Sequence, residues 1–232
     1  FLSADYIFPL HQPPIKNGVI QISEDGVVIN LFKDRKHVNT DKLEVSYGIL
    51  CPGFINAHCH LELSHLKGIT EKGKGVLDFV STIQKRDQFT KEEIQNAIEI
   101  AEQQMIKNGI VAVGDICNTK DTVLQKQKKN LKYYNFIEIF GVYMANLRTI
   151  LTDALKIRNE FRAAGQQATL TPHAPYSEPP IMMQEIVNNF DNKDELHSIH
   201  MQETYAENEL FEKKSGTFFD WLKSINASAN IW

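Results

Sequence analysis

The chain has 232 residues, 42% of them hydrophobic and 23% charged, and its formal net charge at pH 7 is -4. This composition is typical of a soluble globular protein and provides no basic surface for nucleic acid or an anionic membrane. No apolar run approaches the roughly 20 residues that cross a bilayer, and residues 1–6 lack the features of a secretory signal. Three cysteines without a CxxC pair indicate reduced thiols, so a cytoplasmic protein is expected.

Residues 1–50 are predicted to form short strands, the N-terminal part of a small β-sandwich domain. Apolar runs such as residues 18–22 and 26–29 alternate with turns that carry Pro, Gly, Asp and Asn. After residue 50 the pattern changes to strands alternating with helices, which indicates parallel strands joined by helical crossovers. We therefore predict a second part over residues 51–232 that contains five strand–helix units. The predicted strands lie near residues 50–57, 111–116, 134–140, 168–172 and 197–201.

The helices of these units have recognisable ends. Residues 90–93 form a capping box before a run of apolar residues at helical spacing, and Gly109 ends that helix. A second helix is predicted over about residues 152–164. Ser177 and Thr204 offer the side chains of helix N-caps, so a helix is expected to follow each of them.

Histidines mark the ends of three predicted strands. His58 and His60 follow the first strand, and in an extended strand their side chains point the same way, so both imidazoles can share one metal ion. Neutral imidazole suits zinc and related first-row metals. His173 and His200 end the fourth and fifth predicted strands. Each of these histidines could also be an ordinary structural residue.

Three segments together carry a resemblance to a known family. PGFINAHCH at residues 52–60, TPHAPYS at 171–177 and HMQET at 200–204 resemble, in order and approximate spacing, the amidohydrolase superfamily. Within it they are similar to the single-metal branch of cytosine, guanine and adenosine-type deaminases and chlorohydrolases. The stretch PGFINAHCHLELS also looks like aminodeoxyfutalosine or methylthioadenosine/adenosylhomocysteine deaminases.

This resemblance implies an α/β fold, a (β/α)8 TIM barrel with a small N-terminal β domain. The histidines at the C-terminal ends of strands agree with it, since barrel active sites lie there, and they favour a barrel over an open doubly wound sheet. Five units do not close a barrel of eight strands, so we expect an incomplete piece of a longer protein. The family's further metal-site histidine after strand six and its aspartate after strand eight cannot be assigned in this chain.

The resemblance also implies roles for particular residues. His58, His60 and His200 are the expected ligands of one divalent ion, with zinc favoured over iron or manganese. A catalytic zinc lowers the pKa of bound water to about 7, which supplies hydroxide at neutral pH. Glu203 is the expected proton carrier, although a glutamate at a helix N-terminus is favourable without any catalytic role. His173 is expected to contact the substrate ring.

Other candidates are supported by position alone. Glu62 and Arg148 follow the first and third strands and are expected to bind substrate. Asp115 ends the second strand and could support the metal site or cap the next turn. The lysine-rich run at residues 126–129 is interpreted as a solvated helix end.

The favoured function is hydrolytic deamination of an aminopurine-type heterocycle or nucleoside, with Glu203 as proton shuttle. The first alternative is the same machinery acting as a chlorohydrolase or cyclic amidohydrolase. The second alternative is an inactive, truncated barrel. The expected partner is a small-molecule substrate, with no nucleic acid and no membrane, and homo-oligomer formation is left open.

Overall fold

A computed structural model provides the structure of the protein. It describes residues 1–69, 72–191 and 194–227, excluding the side chains of Thr40, Gln84 and Met144. The chain divides into two compact units, Phe1–Phe54 and Ile55–Trp232. Each unit has its own buried apolar residues.

The first unit consists of short strands in two small sheets. Their bounds are Leu2–Ser3 (β1), Tyr6–Ile7 (β2), Ile15–Lys16 (β3), Val19–Ile22 (β4), Val28–Phe32 (β5), Glu44–Val45 (β6) and Ile49–Leu50 (β7). One sheet has the order β5-β4-β1-β6 and the other β3-β2-β7. Ala4, Ile7 and Val19 form its buried apolar core. The predicted strand character of this region is confirmed, while its membership of a larger β-sandwich stays a prediction.

The second unit is built on one sheet of four strands. They are Phe54–Cys59 (β8), Ile110–Cys117 (β9), Lys132–Ile139 (β10) and Gln167–Pro172 (β11). Their order in space follows their order in the chain, and β10 pairs in parallel with both β9 and β11. Sequential parallel neighbours joined by helices are the arrangement of the first strands of a (β/α)8 barrel. The predicted α/β class is confirmed.

The helices of this unit cover the sheet. Their bounds are Val76–Ile83 (α1), Lys91–Lys107 (α2), Val123–Gln127 (α3), Leu147–Ala163 (α4), Pro180–Asn188 (α5), Tyr205–Lys213 (α6) and Thr217–Ser224 (α7). Shorter 3₁₀ helices occupy Leu61–Leu66, Gln84–Gln88, Met144–Asn146 and Pro175–Ser177. Across the three described ranges, no helix combines the length and apolarity needed to cross a bilayer.

Two hydrophobic clusters hold helices α4 to α7 in place. In the first, Phe161 from α4 and Met182 from α5 pack with Ile137, Ile139 and Leu170 on one face of the sheet. The second cluster joins the Pro175–Ser177 turn to α6 and α7. Its fully or nearly fully buried members include Ala174, Tyr176, Leu210, Phe218 and Leu222. The loops that follow β10 and β11 are therefore fixed by packing on both sides.

The predicted helix ends are confirmed in part. Thr90 and Glu93 form the capping box, with the Thr90 amide donating to the Glu93 carboxylate at 2.8 Å, and Gly109 takes a φ of 79° just after α2. Thr204 caps α6 by accepting from the Glu207 amide. Ser177 is not a cap, because α5 begins at Pro180 after Pro179. Helix α4 begins five residues before its predicted start, at Leu147, whose side chain packs against the first cluster.

Two predicted strands differ from the structure. The run at residues 50–57 is divided between β7 and β8, because Pro52 has no amide hydrogen to donate and Gly53 has no side chain to pack. Residues 194–200 do not form the predicted fifth strand. There the Thr171 side-chain hydroxyl takes the place of the backbone hydrogen bonds that would pair a fifth strand with β11. It donates to the Ser198 carbonyl and accepts from the Ser198 amide at 2.8 Å. The segment still runs beside β11, so His200 reaches the end of the sheet.

Candidate metal and substrate site

The first two histidines lie where β8 ends. His58 is near the end of the strand and His60 directly follows it, so both side chains point to the same side. The neighbouring strand β9 approaches β8 unusually closely at Gly114, where an added Cβ would lie only 2.7 Å from the Ala57 carbonyl oxygen. The glycine therefore lets the two strands pack together immediately below the histidines.

The structure brings His58, His60 and His200 together. One ring nitrogen from each residue lies within 4.8 Å of the others, and the centroids of the His58 and His200 rings are 4.7 Å apart. The Nε2 atoms of His60 and His200 face each other at 3.3 Å across 140 positions of sequence. Two imidazole nitrogens at this distance need either a shared hydrogen or a shared ion between them.

The proton on His200 has a clear location. Its Nδ1 lies 3.1 Å from the carbonyl oxygen of His173, which can only accept a hydrogen bond, and its backbone amide donates to the same oxygen at 2.8 Å. The hydrogen therefore belongs on Nδ1, and Nε2 presents its lone pair toward His60. Metal-binding histidines generally use one nitrogen for a backbone or carboxylate partner and the other for the ion.

The donor set fits a divalent ion of the zinc type. A tetrahedral ion with nitrogen ligands at about 2.0–2.1 Å separates two ligand atoms by about 3.4 Å, close to the 3.3 Å between His60 and His200. Burial, followed by the neighbouring His58 and His200, lowers the pKa of His60 to about 4, and burial also lowers the pKa of His58. Both rings are thus neutral at pH 7, which is the form that binds metal.

His173 lies beside this group at the end of β11. Its ring is 4.9 Å from that of His200, and its Nδ1 lies 2.6 Å from the Ser177 hydroxyl, which itself donates to the Ala174 carbonyl. Because Ser177 already donates elsewhere, it accepts from His173, which leaves the other ring nitrogen of His173 without a hydrogen. Burial, followed by His200 and His60, lowers the pKa of His173 to about 3.

Glu203 follows His200 by three residues and is exposed to solvent. Gln202 between them adopts a left-handed backbone with a φ of 55°, which is uncommon for any residue but glycine. The Glu203 amide donates to Glu207 at 2.9 Å, and its carboxylate accepts from the Tyr176 hydroxyl at 3.3 Å. Tyr176 also meets the His173 ring edge-on, with 5.6 Å between the centroids. Tyr176 therefore links the two residues.

Glu138 is a further residue of this cluster, and the sequence analysis missed it. Its carboxylate lies with ring nitrogens of His173 and His200 in one group whose atoms are within 4.8 Å of one another. Burial, opposed by the Asn118 amide and reinforced by Glu62 and Glu203, raises the pKa of Glu138 to about 7. The available signal was a carboxylate inside the otherwise apolar run Phe136 to Phe140, which spans the end of β10.

Glu62 has a structural role, while the substrate binding expected of it from the sequence stays a prediction. It is fully buried in the 3₁₀ helix that follows His60, and its carboxylate accepts from the amides of Asn118 and Thr119 and from the Thr119 hydroxyl. Arg86 approaches it at 3.6 Å. These bonds tie the loop after β8 to the loop after β9. Glu62 thus positions the loop that carries His60.

Arg148 lies in the first turn of α4 and is exposed. Within the described residues its side chain makes no hydrogen bond or ion pair to the histidine cluster, so its substrate-binding role stays a prediction.

The lysine run at residues 126–129 is not a solvated helix end throughout. Lys126 is completely buried, and its Nζ donates to the Asp115 carboxylate at 2.5 Å and to the Asn135 amide oxygen at 2.6 Å. The other Asp115 oxygen accepts from the amide of Leu61, the residue after His60, at 2.8 Å. Asp115 therefore fixes the point where the chain leaves β8, and Lys126 neutralises it.

Residues 49–229 match the model described as the amidohydrolase family, and the chain belongs to this family. The aminodeoxyfutalosine deaminase of a Nitratiruptor species is 26% identical over 208 residues, which cover 88% of this chain and 51% of that protein. The Helicobacter pylori aminofutalosine deaminase in complex with methylthio-coformycin has a similar structure, with a TM-score of 0.78 and 22% identity over 96% of this chain and 55% of that chain.

The atrazine chlorohydrolase of Arthrobacter aurescens, solved with zinc, has a TM-score of 0.69 at 12% identity and covers 97% of this chain and 58% of that chain. The chain thus spans about half the length of the relatives it matches. The structural similarities show the fold, and the family match confirms the amidohydrolase resemblance of the three sequence segments.

Proposed function

We propose that this chain belongs to a metal-dependent hydrolase that removes the amino group of an aminopurine-type heterocycle or nucleoside. The observation that carries the proposal is one cluster at the ends of the strands. It contains three imidazoles whose ring nitrogens lie within 4.8 Å of one another, and the His173 ring lies beside them. Glu203 follows three residues after His200. The names of the relatives support the choice of an aminopurine substrate.

His58, His60 and His200 would hold one divalent ion, for which zinc is the first choice. Neutral imidazole nitrogens suit zinc, and the 3.3 Å between two of them matches its ligand spacing. A bound zinc lowers the pKa of water to about 7 and so supplies a nucleophile at neutral pH. The His173 carbonyl keeps the hydrogen of His200 on Nδ1, so that Nε2 remains free to bind.

Glu203 would move the protons of the reaction. Deamination adds water to the ring carbon that bears the amino group, breaks the carbon–nitrogen bond and releases ammonia. One proton of the water goes to the adjacent ring nitrogen, and the other goes to the departing amino group. A carboxylate positioned for such transfers contributes about 100- to 10,000-fold to the rate. The Tyr176 hydroxyl restrains the Glu203 carboxylate through its hydrogen bond.

His173 would contact the substrate ring. Its buried, neutral imidazole presents a nitrogen without hydrogen, because Ser177 accepts the hydrogen on Nδ1. Such a nitrogen can accept a hydrogen bond from the ring N–H that forms when the ring takes up its proton, and it does not compete for the proton that Glu203 carries.

Hydrolytic dechlorination is the second candidate function. It is supported by the fold similarity to the zinc-containing atrazine chlorohydrolase. The same histidine cluster would serve both reactions, and the leaving group alone distinguishes them.

Metal content and product release test the proposal. We expect about one zinc per chain in purified protein reconstituted with zinc, and ammonia release from adenosine-type substrates. Glu203→Gln should retain the metal and lose at least about 100-fold in kcat, whereas His200→Ala should lose both metal and turnover.

Exposed Glu212→Gln on α6 and exposed His11→Ala in the first unit are the matched controls and should behave as wild type. Loss of metal in Glu203→Gln would contradict the division of roles. Chloride release without ammonia release would favour the second candidate function.

A further inference from the structure

Glu138 is a buried carboxylate that neither the fold nor the proposed reaction explains. It lies one residue before the end of β10 and is about 8% exposed. Its neighbours in the strand, Ile137 and Ile139, face the helices and belong to the hydrophobic core. Since side chains alternate along a strand, Glu138 points to the opposite face, where the histidines cluster.

Among the described residues, one oxygen of this carboxylate accepts a hydrogen bond from a side chain and the other accepts none. Oε2 accepts from the Asn118 side-chain amide at 3.0 Å, and Asn118 also donates to the Glu138 carbonyl at 3.3 Å. Oε1 is buried and has no hydrogen-bond partner among the described residues. Nδ1 of His200 lies 3.4 Å from Oε1 but directs its hydrogen to the His173 carbonyl instead. In the ionised form of Glu138, Oε1 is therefore a fixed acceptor without a donor.

The position of Oε1 limits what can satisfy it. It lies 3.4 Å from Nδ1 of the proposed metal ligand His200, and the Glu138 carboxylate forms one group within 4.8 Å with His200 and with His173, the proposed ring contact. The part of a substrate that reacts must come close to the metal ligands, whereas a sugar or other substituent extends away from them. Among the groups of a substrate, those attached to the reacting carbon are then the donors that can meet Oε1.

On this geometry, and on the proposed function from which it starts, we propose that Glu138 accepts a hydrogen bond from the amino group that the substrate loses. Glu138 is thus a specificity-determining residue that selects amino-substituted rings over chloro-substituted rings of the same shape. An amino group carries two N–H donors, whereas chlorine carries none and would leave the buried oxygen unpaired. A site built around a buried hydrogen bond discriminates strongly against an analogue that cannot form it.

Glu138→Gln tests this directly, because Asn118 fixes the orientation of the new amide. The amide oxygen takes the place of Oε2 and keeps the bond to Asn118, so the NH₂ group takes the place of Oε1. The variant thereby changes an acceptor into a donor with almost no change of shape. A donor facing the substrate amino group repels it, while a chloro substituent is affected much less.

The measurement is kcat/KM for adenosine and for 6-chloropurine riboside, as ammonia and chloride release by zinc-loaded protein. Glu138→Gln should lower the amino-to-chloro ratio on the order of 100-fold, mainly through the amino substrate. Glu138→Asp keeps the charge but withdraws the oxygen by one carbon, and it should lower the same ratio. Glu185→Gln, an exposed carboxylate on α5, is the control and should leave the ratio unchanged.

The outcomes separate this inference from the proposed function. If wild type deaminates adenosine and both Glu138 variants fold but keep its ratio, Glu138 does not contact the amino group and this inference alone is wrong. If wild type releases neither product, the proposed function is wrong and the inference is overturned with it. Thermal unfolding of each variant shows that the comparison is made on folded protein.

Discussion

The two sides of the histidine cluster are held by different kinds of interaction. On the side of β8 and β9, buried charges fix the chain. Asp115 accepts from the Leu61 amide and pairs with Lys126, and Glu62 accepts from the loop after β9. On the side of β11, hydroxyl groups and backbone do the same task. Thr171 binds Ser198, and the His173 carbonyl holds His200.

This difference indicates that the two sides of the site differ in rigidity. Breaking a buried ion pair is strongly destabilising, since removing one partner leaves an uncompensated buried charge. Neutral hydrogen bonds each contribute only about 1 kcal/mol, so the segments they hold can move more readily. The side that presents two proposed metal ligands is therefore the rigid one. The side that carries His173, His200 and Glu203 is the more adjustable one, and in the proposed function His173 contacts substrate and Glu203 moves protons.

The largest effect is expected where the buried ion pair is broken. Lys126→Met leaves Asp115 charged and buried without its partner, and it should lower the free energy of unfolding by about 3–5 kcal/mol. Urea denaturation checks this value. Lys128→Met in the same run is the control, because its ion pair with Glu99 is half exposed and contributes about 0–1 kcal/mol. If the two substitutions lowered the free energy of unfolding equally, the buried ion pair would not make the side of β8 and β9 the more rigid one.

A smaller, pH-dependent effect is expected at Glu178, which belongs to the adjustable side. Burial, opposed by the His173 amide that donates to it and reinforced by Glu138, raises the pKa of Glu178 to about 8. The folded protein then retains a proton that the unfolded chain loses above its ordinary value of 4.5. The contribution of protonated Glu178 to the free energy of unfolding is therefore fully present below pH 4.5 and is lost as the pH rises through about 8.

Glu178→Gln keeps the acceptor for the His173 amide and cannot ionise. Relative to wild type, it should be about equally stable near pH 4.5 and more stable at pH 8 by roughly 4 kcal/mol. Thermal unfolding of both proteins across this range gives the difference directly. A constant difference at all pH values would show that the carboxyl does not titrate in this window.

The smallest change in stability is expected from removing the Thr171 hydroxyl, which takes the place of backbone pairing beside β11. Thr171→Val removes both bonds to Ser198 while conserving shape, and it should destabilise the protein by about 1–2 kcal/mol. Thr169→Val removes a single bond to the Leu196 carbonyl and should have about half that effect. Exposed Thr152→Val on α4 is the control for the loss of a hydroxyl. A larger effect than that of Lys126→Met would reverse the proposed order of rigidity.

Some features of the site can be predicted from local patterns alone. The common direction of His58 and His60 follows from alternation along a strand, and the cap at Thr90 requires only residues 90–93. These features depend on neighbours in sequence, so the sequence contains all the information they need.

Other features depend on partners that are distant in the chain. Lys126 resembles its exposed neighbours in sequence, and its burial is set by Asp115 and Asn135 on two strands that meet it only in the folded state. Glu62 is buried because a loop more than 50 residues away supplies its donors. The predicted fifth strand does not form for the same reason, because the Thr171 hydroxyl of β11 takes the Ser198 amide that a strand would pair with backbone. No periodicity in the chain reports such pairings.

The close approach of β8 and β9 sets how this protein tolerates sequence change. Even the smallest side chain at Gly114 would push against the Ala57 carbonyl, one residue before His58. The displacement would pass along β8 into the histidines, although Gly114 is not one of the proposed metal or substrate residues. In a library of random substitutions selected for activity, this position should accept glycine alone, and directed evolution toward new substrates should leave it fixed while the loops around it vary.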